Sequence, residues 1–104
     1  MNSKERVKAA LKAHLEAELR ATDAAVAALA GMDFSPTTEV RPGAIVVLDG
    51  DHYVVGVISS AFECDGVTYE GMATDALLYE AIKGLQTGDT FTFAGMDYHL
   101  DSVS

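Results

Sequence analysis

The first 40 residues carry a helical pattern of apolar positions. Large apolar residues recur at spacings of three, four and their sums, which places them on one face of a helix. The spacing predicts a single helix over residues 3–30, ended by Gly31. No second helix of similar length is predicted to cover this face, so we predict that it pairs with its copy in a second chain. The residues of this self-association face are Val7, Leu11, Leu15, Leu19, Val26 and Leu29.

From residue 40 onward the pattern changes to short strands. Runs of β-branched residues over 44–48 and 52–60 flank the turn residues Asp49-Gly50, and Asp65-Gly66 separates two further strands. Residues 75–83 return to a helical period, with Thr74 or Asp75 as the predicted N-cap. Alternating aromatic residues after residue 90 predict a closing pair of strands.

We therefore predict an α+β fold. Residues 1–39 form the N-terminal α-helix and a connector, and residues 40–104 form an antiparallel β-sheet domain with one short covering helix.

The charge of the chain is strongly acidic and unevenly distributed. The net charge is −9 over 104 residues, and residues 41–104 alone hold two basic and ten acidic residues. Such a surface repels a polyanion, so we expect no direct binding of nucleic acid. A basic protein surface is the partner that this charge favours. No apolar run reaches the length of a membrane span and no signal peptide is recognisable, so we expect a cytoplasmic protein that binds no membrane.

The residues that could carry chemistry are scattered along the sequence. His14, His52 and His99 lack the close spacing of a metal site, and His14 with Glu18 is predicted to be an exposed pair on one helix. Cys64 has no second cysteine with which to form a disulfide. The acid next to it raises the pKa of the thiol, which opposes nucleophilic activation. We predict no catalytic residue, no metal and no cofactor.

One segment resembles a known family. Residues 75–89, which end in Gly84-Leu85-Gln86-Thr87-Gly88-Asp89, resemble the C-terminal domain of the bacterial Gre transcript-cleavage factors, and Val40-Arg41-Pro42-Gly43-Ala44 resembles the entry to its first strand. The resemblance covers about residues 40–103. It implies an FKBP-like domain that docks on RNA polymerase through the start of the short helix, at Asp75, Ala76 and Leu77.

The departures from the family pattern limit what the resemblance implies. Ala76-Leu77 stands where the family has Ser-Pro, and Leu85 replaces a lysine. The predicted single helix also replaces the family's helical hairpin, whose acidic tip serves transcript cleavage. We therefore expect a divergent, shortened member that binds a protein without stimulating cleavage.

Two alternatives remain from the sequence. The first is a homodimeric interaction module of unrelated role, built on the N-terminal helix. The second is a prolyl isomerase, because the FKBP fold carries that activity in an aromatic cup, although this chain has no Trp. The residues that could line such a cup are Phe62, Tyr69, Phe91, Phe93 and Tyr98.

Overall fold

A computed structural model describes residues 3–18 and 23–104 of the protein. The N-terminal part contains two helices, α1 (Ser3–Ala17) and α2 (Asp23–Ala30), which pack against each other. The prediction of one helix over residues 3–30 is therefore wrong, because the first helix ends at Ala17 and a second begins at Asp23. Within the described ranges, no helix combines the length and the apolar character that a membrane span requires.

The rest of the chain forms a six-stranded sheet with one short helix, α3 (Leu77–Ile82), and the α+β fold is confirmed. The strands lie in the order β3-β4-β2-β1-β6-β5. Their bounds are β1 (Ile45–Leu48), β2 (Asp51–Val55), β3 (Phe62–Cys64), β4 (Val67–Met72), β5 (Thr90–Phe93) and β6 (Met96–Val103). The turn dipeptides named above join β1 to β2 and β3 to β4.

The sheet is mixed rather than wholly antiparallel. Strands β2 and β4 pair in parallel, with His52 opposite Tyr69 and Val55 opposite Met72, whereas the other pairings within the described sheet are antiparallel. β2 also ends at Val55, five residues before the predicted end. Val57 lies in the connection to β3 rather than in a strand, but its β-branched side chain is buried in the core.

The two faces of the sheet are covered by different helices. Helices α1 and α2 cover one face and α3 covers the other, so neighbouring residues of the central strands enter different cores. On β2, for example, Val54 faces α1 and α2 while Val55 belongs to the cluster that includes Ile82 of α3. The first core contains Val7, Leu11, Leu15, Leu29, Phe34, Ile45, Val54, Val57 and Phe62. The second contains Val40, Ala44, Val46, Leu48, Val55, Met72, Ile82, Leu100 and Val103.

The apolar face predicted for self-association lies mostly in the first core. Val7, Leu11, Leu15 and Leu29 are buried against the chain's own sheet, and Val26 is partly buried beside them. Leu19 lies outside the described residues. The reason given for a dimer, an apolar face without an internal partner, therefore does not hold for the described part of this face. The sheet that buries the face was predicted, but a second helix was preferred over it as the cover.

A buried lysine anchors α1 to two distant segments. Lys4 is only 7% exposed, and its Nζ donates hydrogen bonds of 3.0 Å to the main-chain oxygens of Ser35 and Ser104. Its ammonium group also lies 5.9 Å from the ring centre of Phe34, within range of a cation–π contact. Burial, and then the charge of Arg41, lowers the pKa of Lys4. These contacts fix the N-terminal end of α1 on the domain.

Candidate protein-docking surface

The start of α3 is held by the backbone rather than by a capping side chain. Ala76 is the N-cap residue, with the extended dihedral angles φ −70° and ψ 141°, and no side chain caps the helix. The prediction of Thr74 or Asp75 as the cap is therefore wrong. The turn before the helix is closed instead by the Ala76 N–H, which donates to the Ala73 carbonyl at 3.1 Å. The Asp75 side chain is left exposed next to this turn.

Leu77 is the first residue of α3 and is 78% exposed. The helix is instead anchored by Ile82, which is fully buried, and by the partly buried Leu78, Tyr79 and Ala81. Of the three predicted docking residues, Asp75 and Leu77 are exposed and Ala76 is half-buried between them. The structure therefore brings an apolar and an acidic side chain together at one accessible point.

Two other large apolar residues of the described chain are exposed. Ile58 is 83% exposed in the connection after β2, and Met96 is 61% exposed at the start of β6. Ile58 borders a small apolar groove of about 190 Å³, which Leu15, Leu29 and Met32 also line. Because Ile58 lies with the N-terminal helices and Leu77 lies on α3, these residues belong to separate surfaces. Ile58 can therefore serve as a control for Leu77, because the two residues are similarly exposed.

The predicted pair of His14 and Glu18 forms, but both side chains are half-buried and Ser60, which the sequence did not predict, joins them to the connection before β3. His14 Nε2 lies 2.8 Å from a carboxylate oxygen of Glu18 and 3.0 Å from Ser60 Oγ, and the Ser60 hydroxyl donates to the same Glu18 oxygen. A serine–histidine–carboxylate relay requires the two partners to use different ring nitrogens, whereas both partners here meet Nε2. The cluster therefore links two elements and is not arranged as a catalytic triad.

The five aromatic residues that could have lined a prolyl-isomerase cup do not form one. Phe62 and Tyr69 stack at 5.6 Å and pack with the core under α1 and α2. Phe91 and Tyr98 stack at 5.5 Å and pack with the core under α3, on the other face of the sheet. Phe93 lies two residues after Phe91 on β5 and so shares its face. The residues that could have lined a cup are thus divided between the two faces of the sheet.

The surroundings of Cys64 oppose its activation as a nucleophile. Burial, then the charge of Asp65 and its hydrogen bond with the thiol, raises the pKa of Cys64, as predicted from the adjacent acid. A thiol with a raised pKa is a poorer nucleophile at neutral pH. Residues 3–18 and 23–104 contain no group of three or more His, Cys, Asp and Glu placed to hold a metal ion.

Comparisons with family models, with curated proteins and with solved structures found no match for this chain. Membership of the Gre family therefore stays a prediction from the sequence. The exposed residues at the start of α3 are the structural observation from which a function can be proposed.

Two exposed carboxylates make the stability of the fold sensitive to acid. Hydrogen bonds from His99 Nδ1–H, at 3.1 Å, and from the Gly50 N–H lower the pKa of Asp101 below the usual value of an aspartate. Hydrogen bonds from Ser35 lower the pKa of Asp33 in the same way. A carboxylate whose pKa is depressed by folding contributes stability above its unfolded pKa, and this contribution is lost as the pH falls through the folded pKa.

We expect the double variant Asp33→Asn, Asp101→Asn to lose less stability than the unmodified protein between about pH 5 and about pH 3. Urea unfolding at both pH values measures the difference. The single variant Ser35→Ala keeps the Asp33 carboxyl but removes a hydrogen bond that lowers its pKa, so it should flatten the profile in part. Equal losses of stability in all of these proteins would show that the two carboxylates do not contribute.

Proposed function

We propose that this chain is a Gre-like protein-docking factor that binds a basic protein surface through Asp75, Ala76 and Leu77, with RNA polymerase as the first candidate partner. The observation that carries the proposal is the 78% exposure of Leu77 in the first turn of α3, beside the exposed Asp75. The element order β4–α3–β5–β6 over residues 67–103 agrees with the strand, helix and hairpin order of the family resemblance.

The energetics of this site favour a protein partner. Burying one leucine side chain in an interface removes apolar surface from water and is worth about 1.5–3 kcal/mol. The carboxylate of Asp75 adds attraction to a basic partner, and the net charge of −8 over residues 41–104 steers such a partner toward the domain. Interface hot spots combine these features, an apolar anchor at the centre with polar groups around it.

We do not propose stimulation of transcript cleavage. In the Gre family, which this chain resembles, that role belongs to the acidic tip of a helical hairpin. Here α1 and α2 do pack against each other, but both lie on the sheet, with three apolar residues of α1 and Leu29 of α2 buried in the first core. Lys4 is also fixed to Ser35 and Ser104. At about 1.5 Å per residue, the 15 residues of α1 span only about 22 Å. These contacts support a docking role without a projecting cleavage arm.

The proposal is tested by titrating purified RNA polymerase with the full chain and with Leu77→Lys. We expect the substitution to weaken binding at least about tenfold, or about 1.4 kcal/mol, since it removes the apolar anchor and places a cation against a basic surface. Isothermal titration calorimetry or fluorescence anisotropy gives the dissociation constants. The matched control is Ile58→Lys, which makes the same change at a residue of equal exposure elsewhere, and it should bind as the unmodified chain does.

Two results would count against the proposal. Absence of binding at tens of micromolar would exclude RNA polymerase as the partner. Equal weakening by Leu77→Lys and Ile58→Lys would show that charge alone, and not the α3 site, governs binding.

A further inference from the structure

The two edges of the six-stranded sheet differ in how they are protected against pairing with another strand. The β3 edge is only three residues long, includes the charged Glu63, and lies against α1. An ion pair between Arg6 and Asp65 also ties α1 to the turn after β3. The β5 edge, Thr90–Phe93, consists of alternating threonine and phenylalanine, with no charged residue and no proline. Helix α3 contacts this strand on the side where Phe91 packs, whereas Thr90 and Thr92 are exposed. Charges, proline and covering elements are the usual protection of an edge, so β5 is the less protected one.

The geometry of the β5–β6 hairpin shows which backbone groups face the open edge. Its two-residue turn consists of Ala94 and Gly95, with φ values of 53° and 79°, and places Phe93 opposite Met96. A two-residue turn closes on a hydrogen-bonded pair, and bonded pairs alternate along an antiparallel ladder. Phe91 with Tyr98 is therefore the next bonded pair. The N–H and C=O groups of Thr90 and Thr92 consequently point away from β6, toward the edge.

One face of this edge is apolar. Phe91 stacks on Tyr98 and packs with the core under α3, and Phe93 follows on the same face opposite the exposed Met96. Phe91 and Phe93 remain partly exposed. A strand placed beside β5 would therefore find an aromatic surface for every second side chain.

The opposite face of the edge is acidic. Thr90, Thr92, Asp97 and His99 border a groove of about 500 Å³, to which Asp49 contributes a second carboxylate. The Thr92 hydroxyl donates to Asp97 at 2.8 Å, which orients that carboxylate next to the edge. This face suits the cationic ends of lysine or arginine side chains, which the two acids can bind.

We propose that the β5 edge accepts an extended segment of a partner protein in which basic residues alternate with apolar ones. The segment would add a strand beside β5 and hydrogen-bond to the main chain of Thr90 and Thr92. Its basic side chains would face Asp49 and Asp97, and its apolar ones would face Phe91. This mode of binding is separate from the α3 docking site and does not depend on which protein binds there. A second copy of the chain is a poor occupant, because its own β5 offers no basic residue and both copies carry a net charge of −9.

The test uses a hexapeptide of alternating lysine and valine with blocked ends, added to the full chain. Amide hydrogen exchange followed by NMR should slow at least about tenfold for the Thr90 and Thr92 amides at near-saturating peptide. The amides of Phe91 and Phe93 already bond to β6 and should change little. A control peptide with three lysines followed by three valines has the same charge and composition without the alternation, and it should give no such protection.

Two proline variants assign the contact to the backbone of β5. Thr92→Pro removes the outward-facing N–H of β5, and an edge strand tolerates proline where the N–H faces solvent. It should weaken peptide binding at least about tenfold. Glu63→Pro makes the matched change at the other edge and should leave binding within about twofold of the unmodified chain.

Peptides with alternate amides N-methylated give the same information without altering the protein. N-methylation of the alternate amides that face β5 should abolish binding, whereas N-methylation of the remaining amides should not. Equal effects of both sets, binding lost only in Glu63→Pro, or no protection by the alternating peptide would each overturn the proposal. Protection of Thr90 and Thr92 that grows with protein concentration alone would overturn it in favour of pairing between two copies.

Discussion

Replacing Leu11 with alanine is expected to lower the free energy of unfolding by about 2–5 kcal/mol. Leu11 is fully buried at the centre of the core between α1, α2 and the sheet. Truncation to alanine removes buried methyl and methylene groups and leaves a cavity that rigid neighbours such as Val54 and Phe62 cannot fill completely. A loss of this size is a large share of the 5–15 kcal/mol by which domains of this kind are stable.

Urea or thermal unfolding of the variant measures the change, and Leu77→Ala provides the control. The control makes the same truncation at a leucine that is 78% exposed, so its effect on stability should stay within about 0.5 kcal/mol. An equally small effect of Leu11→Ala would mean that α1 does not pack on its own sheet. That result would return the apolar face of α1 to the role predicted from the sequence, contact with a second chain.

Replacing Gly43 with alanine is expected to cost about 2–5 kcal/mol, the sum of backbone strain and overpacking. Gly43 is buried with φ at +92°, and a Cβ atom there would lie 1.9 Å from the main-chain oxygen of Asp33. The backbone cannot move away easily, because the Gly43 N–H donates to the Val55 carbonyl at 2.9 Å. This close approach is where the connector after α2 crosses the entry to β1.

The control for this variant is Gly50→Ala. Gly50 has a similar φ of +84°, but a Cβ atom there would meet nothing within 4 Å. Its substitution should therefore cost only the backbone strain, about 1–2 kcal/mol. Equal losses at the two positions, measured by urea unfolding, would show that the crossing of the connector over β1 is not tight.

The parts of the fold that local sequence determines were predicted well. The strands on both sides of Asp49-Gly50 and Asp65-Gly66 appear where the turn dipeptides place them, and α3 appears where the apolar period changes. These features depend on neighbouring residues, through turn chemistry and side-chain alternation. The same is true of the raised pKa of Cys64, to which the adjacent acid contributes.

The parts that depend on distant residues were not predicted. The Ala-rich sequence between Ala17 and Ala30 has no Gly or Pro to mark the end of α1, although Thr22-Asp23 has the residue types of a helix start. The parallel pairing of β2 with β4 is decided by the path of the intervening chain, which no local pattern records. Local propensity favours a continuous helix and a hairpin meander, and the structure departs from both.

The candidate site, too, was predicted only where neighbouring residues determine it. The sequence singled out Asp75, Ala76 and Leu77, but it could not distinguish an exposed Leu77 from a core residue, since the period of α3 admits both. The pairing of His14 with Glu18 was predicted from their spacing, but Ser60 was missed because 46 residues separate it from His14. No spacing rule connects side chains at such a separation.

The hydrogen bond from Lys4 to Ser104 spans 100 residues of sequence, and this has a consequence for the synthesis of the protein. On the ribosome α1 emerges first, whereas β6, which pairs with the central strand β1, emerges last. The apolar face of α1 packs on α2 and on β1 to β3, so it stays uncovered until those elements have emerged, and the contact of Lys4 with Ser104 forms later still. We expect a chain that stalls before β3 has emerged to keep this apolar face in water, where it is prone to aggregation.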